Sequence, residues 1–101
     1  MVALAGEYDL GDVPELEPKI LAAVDGQSRI VLDLTELRYM DSSVLALFVR
    51  LDDLAGQRMR LAVPKGSFIR RLLSITSLEG RFRLSESLEQ AIADGRSPAS
   101  E

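Results

Sequence analysis

Apolar residues repeat at helical spacing in four stretches of the chain and gather into short strand-like runs in four others. The two kinds alternate. Residues 2–5 are apolar and are followed by Gly6-Glu7-Tyr8-Asp9, which predicts a strand ending in a turn. Asp12 is expected to cap a first helix with Pro14 in its opening turn. Leu16, Ile20 and Val24, with Leu21 beside them, then recur at the helical period, and Asp25-Gly26 supplies the stop. Pro18 falls inside this helix, where its missing amide is expected to kink the first turns or delay the regular ones. Residues 30–34, bounded by Ser28 and by Thr35-Glu36, read as a buried strand. A second helix is expected over 42–57, with Val44, Leu47, Phe48, Leu51 and Ala55 on its core side. Residues 59–63 form a third strand, stopped by Pro64. A third helix follows over 67–74 or a little beyond, with Phe68, Leu72 and Ile75 along one face and Ile69 and Leu73 adjacent. Gly80 closes that unit and 82–84 form a short strand. A final helix turns Leu88, Ala91 and Ile92 inward, behind a capping box in Ser87-Leu88-Glu89-Gln90.

This βαβαβαβα order predicts an α/β fold: a two-layer arrangement of a four- to five-stranded, mixed or mostly parallel sheet and about four helices. The 101 residues suit one domain, assigned to residues 1–93, with the polar stretch 94–101 as a flexible tail. In such sheets the carboxyl ends of the strands are where ligands and partners are met. The turn Asp41-Ser42-Ser43 lies at one of them.

Composition narrows the chemistry. The net charge of −4 argues against nucleic acid or an anionic membrane as partner, since both call for clustered Lys and Arg. The chain has no Cys and no His. That excludes disulfides, Ser-His-Asp and Cys-His nucleophiles and the usual zinc ligands, so neither enzymatic activity nor a cofactor or metal is expected. Gly66-Ser67 lacks the spacing of a phosphate-binding glycine loop, so any nucleotide belongs to a partner. The longest apolar run, 44–49, is far too short to cross a bilayer, and the N-terminal MVALAGEYD lacks the features of a signal peptide; a cytoplasmic protein is expected. Glu7, Asp9 and Asp12 read as a solvated acidic loop or a weak cation site. Lys65, Arg70 and Arg71 read as a solvated face or a contact surface for an acidic partner.

The second helix opens on two hydroxyls. Asp41 suits the N-cap, where a carboxylate accepts a free first-turn amide and meets the positive end of the helix dipole. Ser43 fits a first-turn residue partly buried against a neighbouring loop. Ser42 is then not needed as a cap. It projects outward beside Ala46, Val49, Arg50 and Asp53, and the small or apolar members of that face make a plausible docking surface.

These residues resemble a known family. The segment IVLDLTELRYMDSSVLALFVRL is similar to the centre of STAS domains, the sulphate transporter and anti-sigma factor antagonist domain: a V-L-D-L strand, an acidic-apolar loop, then Asp-Ser-Ser opening an apolar helix. LAGEYDL resembles the family's Gly-Glu-Leu-Asp turn, and SLEQAIAD its closing helix. The resemblance is strongest to stand-alone bacterial anti-sigma factor antagonists. It implies that Ser42 is phosphorylated by an anti-sigma factor that is itself a serine kinase. The unmodified form would bind that partner and free the sigma factor, and a serine phosphatase would reset it. Partner-binding residues would be Asp41, Ser42, Ser43, Ala46, Val49 and Arg50, with Arg70 as a further candidate. Three positions depart from the pattern. Val44 stands where the family usually has Gly, Tyr8 stands where Leu is common, and the chain starts at the family's second strand. A bare strand edge would favour pairing, so a monomer or weak dimer is expected. Val44 keeps a second reading open: a STAS subunit that is never phosphorylated and serves a membrane transporter or lipid-transport complex.

Overall fold

The computed structural model describes residues 1–26, 29–56 and 58–95, and for 94 and 95 the backbone alone. Strand β1 (Val2–Tyr8) leads through one 3-10 turn (Leu10–Asp12) into helix α1 (Val13–Gly26). Then follow β2 (Ile30–Met40), α2 (Ser42–Ala55), β3 (Met59–Ala62), α3 (Phe68–Ile75), β4 (Arg83–Ser85) and α4 (Leu88–Gly95). The strands form one sheet in the order β1-β2-β3-β4, and every neighbouring pair is parallel. Parallel neighbours need a crossover between them, and α1, α2 and α3 supply the three crossovers. β1 is an edge strand. Ser28, Gln57 and 96–101, which the sequence reading placed at a strand boundary, a helix end and the tail, lie outside the described residues.

The core is built on a row of residues across the sheet. Val2 faces Leu32, Leu32 faces Leu61, and Leu61 faces Leu84. Ile30, Leu32 and Leu34 on β2 are buried, while Val31 and Asp33 between them are half-buried, as strand alternation requires. Against this row pack Leu16, Ile20 and Val24 of α1 and Val44, Leu47, Phe48, Leu51 and Ala55 of α2, all buried. Both predicted helical stripes are thus the core stripes. Arg58 joins the far ends of the two helices: its Nε donates to the Ala55 carbonyl (2.8 Å) and its Nη1 to the Val24 carbonyl (3.1 Å). A cation is favourable there because both helices end in unpaired carbonyls.

Several elements differ from the sequence reading. β1 does not turn at Gly6; it continues through Tyr8, with Gly6 at φ +86°. β2 is more than twice the expected length, and the acidic-apolar loop expected after Leu34 is strand. The reason lies in the register. Between Ala3 and Ala5, and again between Gly6 and Glu7, β2 advances one residue more than β1. Each extra residue is a bulge that shifts the buried positions from every second to every third residue, giving Leu34, Leu37 and Met40. A period-2 search cannot see such a strand.

The 3-10 turn that leads into α1 is capped by Asp9, with Asp12 as the partner in its capping box. The Gly11 amide donates to Asp9 Oδ1 (2.9 Å), and the Asp9 amide donates back to Asp12 Oδ2 (2.8 Å). α1 is regular from Val13 through Pro18, so the proline does not delay it. α3 buries Ile69 and Leu73, while Phe68 and Ile75 are exposed. α3 carries two apolar stripes, and sequence spacing alone could not rank them. In α4, Ala91 is buried but Ile92 faces solvent. Ser87 Oγ accepts from the Gln90 amide (3.0 Å), and the Gln90 side chain reaches back to the Glu86 amide (2.8 Å), one residue earlier than a standard box.

α3 ends in a Schellman motif. The Leu78 amide donates to the Leu73 carbonyl (2.8 Å) and the Ser77 amide to the Ser74 carbonyl (3.1 Å). The residue between must be left-handed, and Ser77 sits there at φ +62°. Glycine adopts this conformation without steric cost. Ser77→Gly is therefore expected to raise stability by about 0.5–1 kcal/mol, read as a higher denaturant midpoint with an unchanged slope.

Candidate functional site

The carboxyl ends of β1 and β2 meet at Asp41. Its backbone is extended (φ −94°, ψ −179°), and its amide donates to the Tyr8 carbonyl (3.3 Å). Oδ1 accepts from the amides of Ser43 (2.9 Å) and Val44 (3.1 Å), which caps α2 as expected. Oδ2 accepts from the Leu10 amide (3.0 Å), across 31 residues of chain. One carboxylate thus caps a helix and pins the β1–α1 connection to the end of β2.

With the cap supplied by Asp41, Ser42 is the first helical residue. It is exposed, and its hydroxyl makes no hydrogen bond among the described residues. Ser43 is half-buried. Ala46 and Arg50 are exposed and Val49 is half-buried, so these residues share the outer face of α2 with Ser42. Arg50 is engaged by Glu17 of α1 (3.0 Å). Val44 is completely buried. Its side chain therefore enters the core and adds no bulk to the outer face.

Arg70 does not join this surface. Its side chain is 17% exposed, and it donates to the Val63 carbonyl (2.8 Å) and lies 3.8 Å from Glu79. It ties the end of β3 to α3. Lys65 pairs with Glu86 (3.2 Å), whereas Arg71 is exposed. Asp9 and Asp12 serve the capping of the 3-10 turn, and no group of three or more His, Cys, Asp or Glu among the described residues is placed to hold a metal ion. No helix among them is long and apolar enough to cross a membrane.

Three apolar residues near this end are exposed; Leu10 and Tyr39 are not singled out by the sequence, and Phe68 reads there only as part of an apolar face of the third helix. Leu10 is 65% exposed and stands beside Asp41 through its amide. Tyr39, at the end of β2, and Phe68, at the start of α3, stack with ring centroids 5.8 Å apart and 24° between planes. Leu10 falls outside any periodic run, and Tyr39 lay in the stretch taken for loop. Their one signal was apolar character next to the Asp-Ser-Ser turn.

A family model described as "Mlab, STAS domain" matches residues 1–88. The chain belongs to the STAS domain family. The STAS domain is 29% identical over 98 residues to the anti-sigma-F factor antagonist RsfB of Mycobacterium tuberculosis, in strains CDC 1551 / Oshkosh and ATCC 25618 / H37Rv. That match takes in 95% of this chain and 80% of the relative. It also superposes on the crystal structure of an anti-sigma factor antagonist from Mycobacterium paratuberculosis with a TM-score of 0.83 and 26% identity. There, 94% of this chain and 83% of the other are covered.

Farther along α2, Arg81 holds the outer face of the STAS domain to the segment before β4. It lies 3.4 Å from Asp52, pairs with Asp53 and donates to the Val49 carbonyl (3.4 Å). Burial raises the pKa of the Asp52 carboxyl above its ordinary value, against the lowering pull of Arg81. The folded state therefore holds this proton more tightly than the unfolded state. The Asp52 contribution is full below the unfolded carboxylate pKa and is lost as pH rises through the folded one. Asn mimics the protonated form, so the stability of Asp52→Asn relative to wild type is expected to increase from about pH 3 to pH 7, followed by thermal melts across that range. Asp41→Ala removes the acceptor of three amides and is expected to cost about 2–3 kcal/mol in chemical denaturation.

Proposed function

We propose that this STAS domain is an anti-sigma factor antagonist: it binds an anti-sigma factor in the cytoplasm and is switched off by phosphorylation of Ser42. The kinase is the anti-sigma factor itself, and a serine phosphatase restores the binding form. The docking surface is the start and outer face of α2, with Asp41, Ser42, Ser43, Ala46, Val49 and Arg50, joined by Leu10. Relatives named as anti-sigma factor antagonists over nearly the whole chain support the class of function. The observation that carries the switch is the free, exposed hydroxyl of Ser42 at the head of a helix whose cap is already filled.

The physical chemistry favours a switch at this position. A phosphate brings about −1.5 to −2 charges and strong acceptor oxygens. At a helix N-terminus the positive end of the dipole tolerates that charge, so the domain can carry it without unfolding. A partner surface fitted to a hydroxyl then meets a dianion next to the Asp41 carboxylate. Charge repulsion and lost desolvation act on the interface alone. The burial of Val44 supports the same reading, because the departure from Gly is absorbed by the core and not by the face a kinase meets.

The test is to incubate the chain with ATP and each anti-sigma factor serine kinase of its own genome. One phosphate on Ser42 is expected, and none on Ser42→Ala, which still binds. Ser42→Asp is expected to weaken binding about 100-fold or more, equivalent to roughly 3 kcal/mol, with an unchanged circular dichroism spectrum. If no kinase modifies Ser42 and Ser42→Asp binds like wild type, the switch is refuted. The reading as an unphosphorylated subunit of a transporter or lipid-transport complex then takes its place.

A further inference from the structure

α3 is apolar on two sides. Ile69 and Leu73 are sealed in the core. Phe68, Leu72 and Ile75 follow one another at i, i+4 and i+7 on a second side, with Phe68 46% and Ile75 73% exposed and Leu72 half-buried. The Tyr39 ring, itself 43% exposed, stacks on Phe68 and carries the stripe across to the end of β2. Exposed stacked aromatics that continue into an aliphatic row are the kind of anchor that dominates protein interfaces.

We propose that this stripe is a second docking surface for the anti-sigma factor, receiving an apolar segment that carries an acidic residue. The inference rests on the anti-sigma factor reading above and extends the interface from α2 to α3. Geometry permits one partner to span both. β2 and β3 are parallel neighbours, so the helices that follow them begin at the same end of the sheet. Tyr39 is three residues from Ser42.

Charge selects the occupant. Arg71 borders the stripe, about 40° beyond Ile75 around the helix; it is exposed and makes no ion pair among the described residues. A two-fold pairing of two copies through α3 would bring two Arg71 guanidinium groups together near the axis, which costs association energy. A partner that offers a carboxylate at the edge of an apolar surface gains at the same place.

The experiment measures the affinity of the unphosphorylated chain for the anti-sigma factor serine kinase of its genome by calorimetry. Phe68→Ser and Ile75→Ser are each expected to weaken binding about 5- to 20-fold. Arg71→Glu is expected to weaken it about 10-fold. Ile92→Ser, an exposed apolar residue on α4, serves as control and is expected to leave it unchanged. Ile75 is largely in solvent, so Ile75→Ser keeps the fold. Wild-type affinity in all three α3 variants, with binding still lost in Ser42→Asp, overturns the second surface and leaves the first. Failure of the wild type to bind any anti-sigma factor overturns the functional reading and this surface with it. A dimer in sedimentation that dissociates on Ile75→Ser assigns the stripe to a second copy and also overturns the proposal.

Discussion

The three amide hydrogens that converge on the Asp41 carboxylate hold the functional end of this domain together. Two come from the first turn of α2 and one from Leu10, in the β1–α1 connection. Hydrogen bonds to an ionised acceptor are about twice as strong as neutral ones. The aspartate thus fixes where α2 begins and where the neighbouring connection lies in the same group of contacts. The position of Ser42 follows from it. A serine next to an unfilled cap would turn its hydroxyl to the backbone, as capping residues do. Here Asp41 Oδ1 already accepts the Ser43 and Val44 amides, so the Ser42 hydroxyl is not needed as a cap.

The rest of the sheet sets the angle at which that end is presented. β2 is central in the pairing and long, and its second half runs beside β1 alone because β3 ends at Ala62. α3 packs against β2, and the Tyr39–Phe68 stack joins the two. At the opposite ends of α1 and α2, Arg58 holds two helix carboxyl termini. Arg81 clamps the outer face of α2 through Asp52 and Asp53. Helix α2 is therefore restrained at both ends and buried along one side, and the Ser42 end of its outer face remains open. A phosphate added there changes the surface of a fixed scaffold.

The alternation of elements and the core stripes of α1 and α2 were legible because helical periodicity is local: side chains three and four apart share a face whatever surrounds the helix. Asp41 was readable as a cap for the same reason. Its bond to Leu10 was not, since nothing in the sequence joins residues 31 positions apart. The latter half of β2 was hidden by two bulges, which exist only in the pairing with β1. Arg70 looked like a surface cation, and only the fold brings the Val63 carbonyl within its reach.

The sequence by itself determined the α/β order, the buried side of α2, its aspartate cap and the surplus serine beside it. Each depends on neighbours within one or two turns of chain. The tertiary structure decided which stripe of α3 is core, that the Leu10 amide reaches Asp41, and that Tyr39 stacks on Phe68. Those outcomes depend on which strand pairs with which and in what register, and register is a property of two segments at once.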